Sequence, residues 1–188
     1  MDVTEFVLAE LSPPRARVLE VGCGEGELAR ALAAAGHRVL AIDPEAPEGP
    51  LFRRTTIENL DDTGSFDAAV ASRSLHHVHD LALGLDKVVA ALRPGGLFIV
   101  DDFAWERLDA DSARLVGIDL QEWREEHADL HTSEVMLAGL GARFTARALG
   151  RGPYLYREAR QLVDEAMECE LIESGRLGAI GFRYVGIR

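Results

Sequence analysis

Short runs of Val, Ile, Leu, Phe and Ala recur along the chain, separated by longer stretches in which apolar residues return every three or four positions. The runs are RVLEV (17–21), RVLAI (38–42), LFRRT (51–55), FDAAVA (66–71), LFIVD (97–101) and RFTARAL (143–149). Near-continuous apolar strands alternating with helical patterns are what a parallel sheet covered on both faces requires. These runs are the first six expected strands.

Between them, GELARALAAAG (26–36) carries strong helix formers and ends at Gly36. The segment 81–92 places Leu81, Leu85, Val88, Val89 and Leu92 on one helical face, before Pro94, Gly95 and Gly96 stop it. Residues 111–127 read as one amphipathic helix with Leu115, Val116, Leu120 and Trp123, and 132–140 as another, begun by Thr132 or Ser133. The tail EARQLVDEAMECELIESG (158–175) is expected to be helical, and GAIGFRYVGIR (178–188) to be a last strand. An alternative pairs PYLYR (153–157) with the sixth strand instead.

A chain of 188 residues, 47% hydrophobic, suits one globular domain with one sizeable core, so 1–188 is expected to be a single unit. Twenty Lys and Arg against 32 Asp and Glu give a formal charge of -12, which disfavours a nucleic-acid or anionic-membrane partner. The opening MDVTEFVLAE has neither the basic region nor the apolar run of a secretory signal, and no apolar stretch has membrane-spanning length; a cytoplasmic protein is expected. Cys23 and Cys169 stand far apart with no CxxC pair, so both are expected to be reduced, without structural zinc.

The stretch VLEVGCGEGELA puts Glu20, Gly22, Gly24 and Gly26 at alternate positions between the first strand and the first helix. A dinucleotide fingerprint, GxGxxG, needs its third glycine where Glu27 stands, so a nicotinamide cofactor is disfavoured. A tight turn needs glycine for steric reasons alone. Asp43, however, ends the second strand, where a carboxylate in a doubly wound sheet can accept two hydrogen bonds from a ribose diol. Loop and acid together make a nucleoside site.

With LEVGCGEG, AIDPE, IENLDDTGSFDAAVASRSLHHVHD and ALRPGGLFIVDDF in that order, the chain resembles the class I S-adenosylmethionine-dependent methyltransferases, closely over 15–103 and loosely beyond. The resemblance implies a Rossmann-like, doubly wound α/β fold: a mostly parallel seven-stranded sheet, helices on both faces and an antiparallel last strand. It implies S-adenosyl-L-methionine as cofactor, with Gly22, Cys23 and Gly24 passing under its methionine part and Glu20 anchoring its amino group. Asp43 would hold the ribose and Pro44 flank the adenine. Where the family usually carries an acid for the adenine amine this chain has Thr56 and Ile57, a departure that leaves adenine recognition to backbone groups near Ile57. Ser72 and Arg73 would line the cofactor's reactive end, although a surface salt bridge accounts equally well for Arg73.

Methyl transfer from a sulfonium is an in-line displacement that needs an aligned acceptor and, for a hydroxyl or ammonium, removal of a proton; a histidine of pKa near ~6.5 suits that task. SLHHVHD (74–80) supplies three histidines and a carboxylate, read as the turn into the helix at 81, capped by Asp80. His76 is expected to face the acceptor as base and His77 to pack beneath the cofactor, with His127 and His131 as the other candidate bases. His127 and His131 are spaced as a metal pair would be on a helix, but a helix ending near His127 followed by a loop is the favoured reading. Asp101 and Asp102 alone make a weak case for magnesium, and no metal is expected. Trp105, Trp123, Tyr154 and Tyr156 are expected to line an acceptor pocket covered by 103–133, although core packing accounts equally well for the tyrosines.

The expected function is methyl transfer to an oxygen or nitrogen of a small, aromatic-type metabolite by a monomer or homodimer. The rivals are a cofactor-binding scaffold and a non-methylating enzyme on the same fold.

Overall fold

The computed structural model describes residues 1–11, 15–159 and 162–188. Its strands are β1 (Arg17–Val21), β2 (Arg38–Asp43), β3 (Phe52–Arg54), β4 (Phe66–Ser72), β5 (Leu92–Phe103), β6 (Thr145–Gly152) and β7 (Gly181–Ile187). They form one sheet in the order β3-β2-β1-β4-β5-β7-β6. β2 and β4 flank β1 in parallel, β3 and β5 extend the parallel run on either side, and β7 lies antiparallel between β5 and β6. The helices are α1 (Val3–Glu10), α2 (Glu27–Ala34), α3 (Leu81–Ala91), α4 (Ala110–Val116), α5 (Leu120–Glu126), α6 (Ser133–Gly141), α7 (Leu155–Glu158) and α8 (Glu165–Glu173). This is the expected Rossmann-like architecture with an antiparallel last strand.

Strand pleat explains why the runs read as continuously apolar: successive residues enter opposite layers. Val18, Val70 and Ile99 pack with Phe6 and Val7 of α1 and Leu28 and Leu32 of α2. Their neighbours Leu19, Ala69, Phe98 and Val100 pack with Leu81, Leu85 and Val88 of α3 and Met136 and Leu140 of α6. A third cluster of Phe103, Leu108, Val116, Trp123, Tyr154, Leu155, Val163 and Ile180 joins β5 to the segments that follow it.

Three expectations are corrected and one helix is added. Residues 111–127 are two helices, because Gly117 turns the chain into the left-handed region at φ 75° and Asp119 opens a new helix by accepting the Gln121 and Glu122 N–H groups. The expected tail helix over 158–175 runs across residues 160 and 161, outside the described residues; on either side α7 ends at Glu158 and α8 begins at Glu165, behind the Asp164 cap. PYLYR is not a strand: Leu155 opens α7, and β6 pairs with β7. Finally, α1 has a capping box that the reading of the opening passed over, Asp2 with Glu5.

Strand order reverses at β1, whose neighbours β2 and β4 lead to opposite halves of the sheet. Ligands on such sheets bind where the order reverses, outside the carboxyl ends of the strands.

Candidate active site

A cleft of about 1070 Å³ opens at that point, lined by the ends of β1, β2 and β4 and by residues of the covering segments. That volume suits a nucleoside-sized cofactor together with a small second ligand, since single drug-sized ligands occupy about 300–1,000 Å³.

One half is built on the glycine turn. The Gly22 and Cys23 N–H groups both donate to the Ile42 carbonyl, at 2.8 and 3.1 Å, folding the turn back over β2. Gly22 stands at φ 72°, and a Cβ there would overlap the Ser74 side chain, whose hydroxyl donates to the Val21 carbonyl at 2.6 Å. Only glycine fits between the ends of β1 and β4. Asp43 clasps the turn: its Oδ2 accepts from the Gly24 N–H at 3.0 Å and its Oδ1 from the Glu45 N–H at 2.8 Å. Each oxygen keeps a lone pair for a ligand.

Glu20 is 3% exposed and lines the same cleft, with its Oε2 making no hydrogen bond. Burial pushes its carboxyl up to about 8; the Ala29 backbone N–H partly offsets this and the Asp43 charge adds to it. A buried carboxylate with an orphaned oxygen calls for a cationic partner. Burial, then the charges of Glu20 and Asp43, also push the Cys23 thiol up to about 12, so Cys23 stays neutral. Pro44, Thr56, Ile57, Ser72 and Arg73 line this cleft as well. Thr56 is engaged locally, its Oγ1 accepting from the Asn59 amide at 3.1 Å.

The other half holds the histidines. His76 Nδ1 lies 2.6 Å from Asp102 Oδ1, and Asp102 also accepts the Leu75 and Phe103 N–H groups at 3.1 and 2.8 Å. A carboxylate only accepts, so Nδ1 carries the proton and Nε2 keeps the lone pair of the neutral ring. His76 is 5% exposed yet lines the cleft, whereas His77, expected to be the packed one, is exposed beside it. Burial and then the neighbouring His76 lower the His77 pKa. Asp80 caps α3 as expected, accepting the Leu83 N–H at 3.0 Å.

Asp101 and Asp102 cannot converge on one ion. Asp102 follows Val100 toward the α3 face, while Asp101 turns the other way and is held by Arg157 and Arg183, each at 2.8 Å. Among the described residues no group of three His, Cys, Asp or Glu side chains is placed to hold a metal ion.

Of the candidate bases, His127 also lines the cleft; its Nδ1 donates to the Trp123 carbonyl at 2.7 Å. His131 does not line it: its Nε2 donates to the Val78 carbonyl and its backbone N–H to that of His76, tying the cover to the histidine turn. Of the aromatic candidates only Tyr154 lines the cleft, stacked on Phe103 at 4.2 Å between ring centres. Burial, then the charges of Glu158 and Asp102, hold its phenol well above the usual range, so it stays protonated. Trp105 and Trp123 belong to the core of the cover, the Trp123 indole donating to the Trp105 carbonyl at 3.0 Å. Tyr156 turns away because the chain is helical there, and its hydroxyl accepts from Arg157 Nε.

Phe103, Glu126 and Leu130 line the cleft from the segment expected to cover it, whereas sequence reasoning missed Asp102 as the partner of His76 and Glu158 in the cleft. It also missed Glu168, fully buried on α8, which accepts the backbone N–H groups of Tyr154, Leu155 and Tyr156 at 2.7 to 3.0 Å and so positions Tyr154. The pairing of Ser72 with Asp101 sets the turn after β4 beside the end of β5, a register that no local sequence signal records.

A family model described as a methyltransferase domain matches residues 1–151. A ubiquinone biosynthesis O-methyltransferase of Xanthomonas axonopodis pv. citri is 30% identical over 169 residues, covering 82% of this chain but 60% of that protein. The chain thus spans less than two thirds of the length of this relative. An S-adenosylmethionine-dependent methyltransferase from Mesorhizobium loti superposes with a TM-score of 0.67 at 22% identity, over 98% of this chain and 96% of that one. The N1-methyltransferase of Burkholderia thailandensis that acts on didemethyltoxoflavin, solved with that compound and S-adenosylhomocysteine, gives 0.65 at 21% identity, over 98% and 76%. At these identities the two structures establish the fold.

Proposed function

The chain belongs to the class I S-adenosylmethionine-dependent methyltransferases, and from that premise we propose that it methylates an oxygen or nitrogen of a small molecule held against the His76 half of the cleft. The observation that carries this reading is that the Asp43-clasped glycine turn and His76, its ring held from behind by buried Asp102, line one continuous cleft.

S-Adenosylmethionine, when bound, supplies an electrophilic methyl group on a sulfonium. The residues present fit it: Glu20 has a buried, unpartnered oxygen for the amino group, and Asp43 has lone pairs for the ribose diol. Gly24 leaves open the space that a side chain would fill, and Pro44 and Ile57, which line the cleft, would border the base. Asp102 holds the His76 ring in the tautomer whose Nε2 accepts a proton from an acceptor hydroxyl. His127 is the alternative base, with the same tautomer fixed by a carbonyl. Phe103 and Tyr154 form an aromatic wall. Positioning alone can supply effective molarities of about 10⁵–10⁸ M.

The O-methyl transfer for which the Xanthomonas relative is named makes hydroxylated aromatics the first acceptors to test. No helix among the described residues is long and apolar enough to cross a membrane, and the acidic charge supports a small-molecule acceptor over nucleic acid. The test is S-adenosylhomocysteine formation with a panel of phenols, catechols and amines, with product mass. A product heavier by one methyl group supports the reading. Tight cofactor binding without turnover of any acceptor favours a scaffold, and a product without added methyl a different reaction on the same fold.

A further inference from the structure

Arg73 follows β4 directly and stands at φ 53°, a left-handed conformation that a β-carbon disfavours. Three bonds hold the backbone there. The Arg73 N–H donates to the Asp101 carbonyl at 2.8 Å, the Ser74 hydroxyl to the Val21 carbonyl, and the Leu75 N–H to Asp102. Glycine or asparagine would suit this backbone better.

The side chain is exposed and lines the cleft. Among the described residues its guanidinium makes no ion pair or hydrogen bond, so the salt-bridge account of Arg73 finds no support in the structure. It is also the one Lys or Arg among the described lining residues, against seven carboxylates. It directly precedes the turn that carries His76, and His76 and Tyr154 line the same cleft. An unpaired guanidinium on a strained backbone serves no packing purpose, and in a chain of net charge -12 the average field would turn an anion away.

Resting on the methyl-transfer reading, we infer that Arg73 is a specificity-determining residue whose guanidinium receives the carboxylate of an aromatic acid acceptor, while His76 faces the group to be methylated. A carboxylate matches the planar fork of Arg in a way that a neutral amide does not.

The test titrates salicylate and its uncharged amide, salicylamide, into the protein loaded with S-adenosylhomocysteine. Salicylate should bind at least about tenfold more tightly, the scale of a charge-assisted pair in a partly exposed site. Arg73→Gln and Arg73→Gly should each abolish that preference, and Arg73→Lys should restore part of it. Arg73→Gly should at the same time raise the Tm, because glycine relieves the strained backbone; a residue kept for structure would lower it. Equal binding of the two probes, no measurable binding of salicylate, or a preference that survives both substitutions would overturn the assignment. Failure to bind S-adenosylhomocysteine would instead count against the methyl-transfer reading, and the probe pair is then read on the free protein.

Discussion

The imidazole of His76 and the carboxylate of Asp102, from the turn after β4 and the end of β5, meet at 2.6 Å with both side chains buried. The contact fixes which ring nitrogen holds the proton.

Substituting either partner should therefore slow chemistry without weakening cofactor binding. His76→Gln should lower kcat by about 10²–10⁴-fold, the usual worth of a general base. Asp102→Asn can present its amide NH2 to Nδ1, which moves the ring proton to Nε2 and should cost a comparable factor. Rates compared with S-adenosylhomocysteine affinity check this. If both variants keep full rates, the proton passes to His127 or to solvent.

Glu20 links cofactor binding to pH. Its carboxyl is raised from 4.5 to about 8 in the folded protein, so the stability this contributes is fully present below about 4.5 and lost as pH rises through 8. Thermal unfolding of the free protein should show that loss, and Glu20→Gln should remove it. A cationic amine beside Glu20 favours the ionised form, so binding should release a proton below about pH 8. S-Adenosylhomocysteine affinity should thus rise with pH by up to about tenfold per unit. Titrations in buffers of different ionisation enthalpy count the proton.

Two glycines in one turn should fail differently. Gly22→Ala meets both a left-handed backbone and the Ser74 side chain, and should destabilise the fold by about 2–5 kcal/mol in urea titrations. Gly24 is left-handed too, at φ 49°, but a Cβ there meets no protein atom within 4 Å, so Gly24→Ala should cost only about 1–2 kcal/mol, fold, and lose cofactor affinity through the methyl placed in the cleft.

Glu168 should matter more than its distance from the histidines suggests. Glu168→Gln keeps one carbonyl acceptor for three backbone donors and should cost about 1–3 kcal/mol. Glu168→Ala should cost more, and both should weaken acceptor binding more than cofactor binding because Tyr154 loses its support. Chemical denaturation alongside ligand titration separates the two effects.

The parallel strands were legible because two-sided burial leaves a continuous apolar run, and the glycine turn and Asp43 because their chemistry is local to one strand end. The break at Gly117 was hidden by apolar residues that keep helical spacing on both sides of it. The turn of Tyr156 away from Tyr154 depends on Glu168, supplied from a later helix. His76 was visible as a histidine in the right turn. That it is the buried one, and that Asp102 rather than Asp101 holds it, follows from sheet register and pleat, which no local pattern records.

The most direct test of the account is calorimetric titration of the protein with S-adenosylhomocysteine, repeated on Asp43→Ala. The account predicts saturable one-to-one binding that weakens by about 1.5–3 kcal/mol when Asp43 is removed, the scale of hydrogen bonds to a charged group. No binding, or binding that ignores the loss of Asp43, would contradict it.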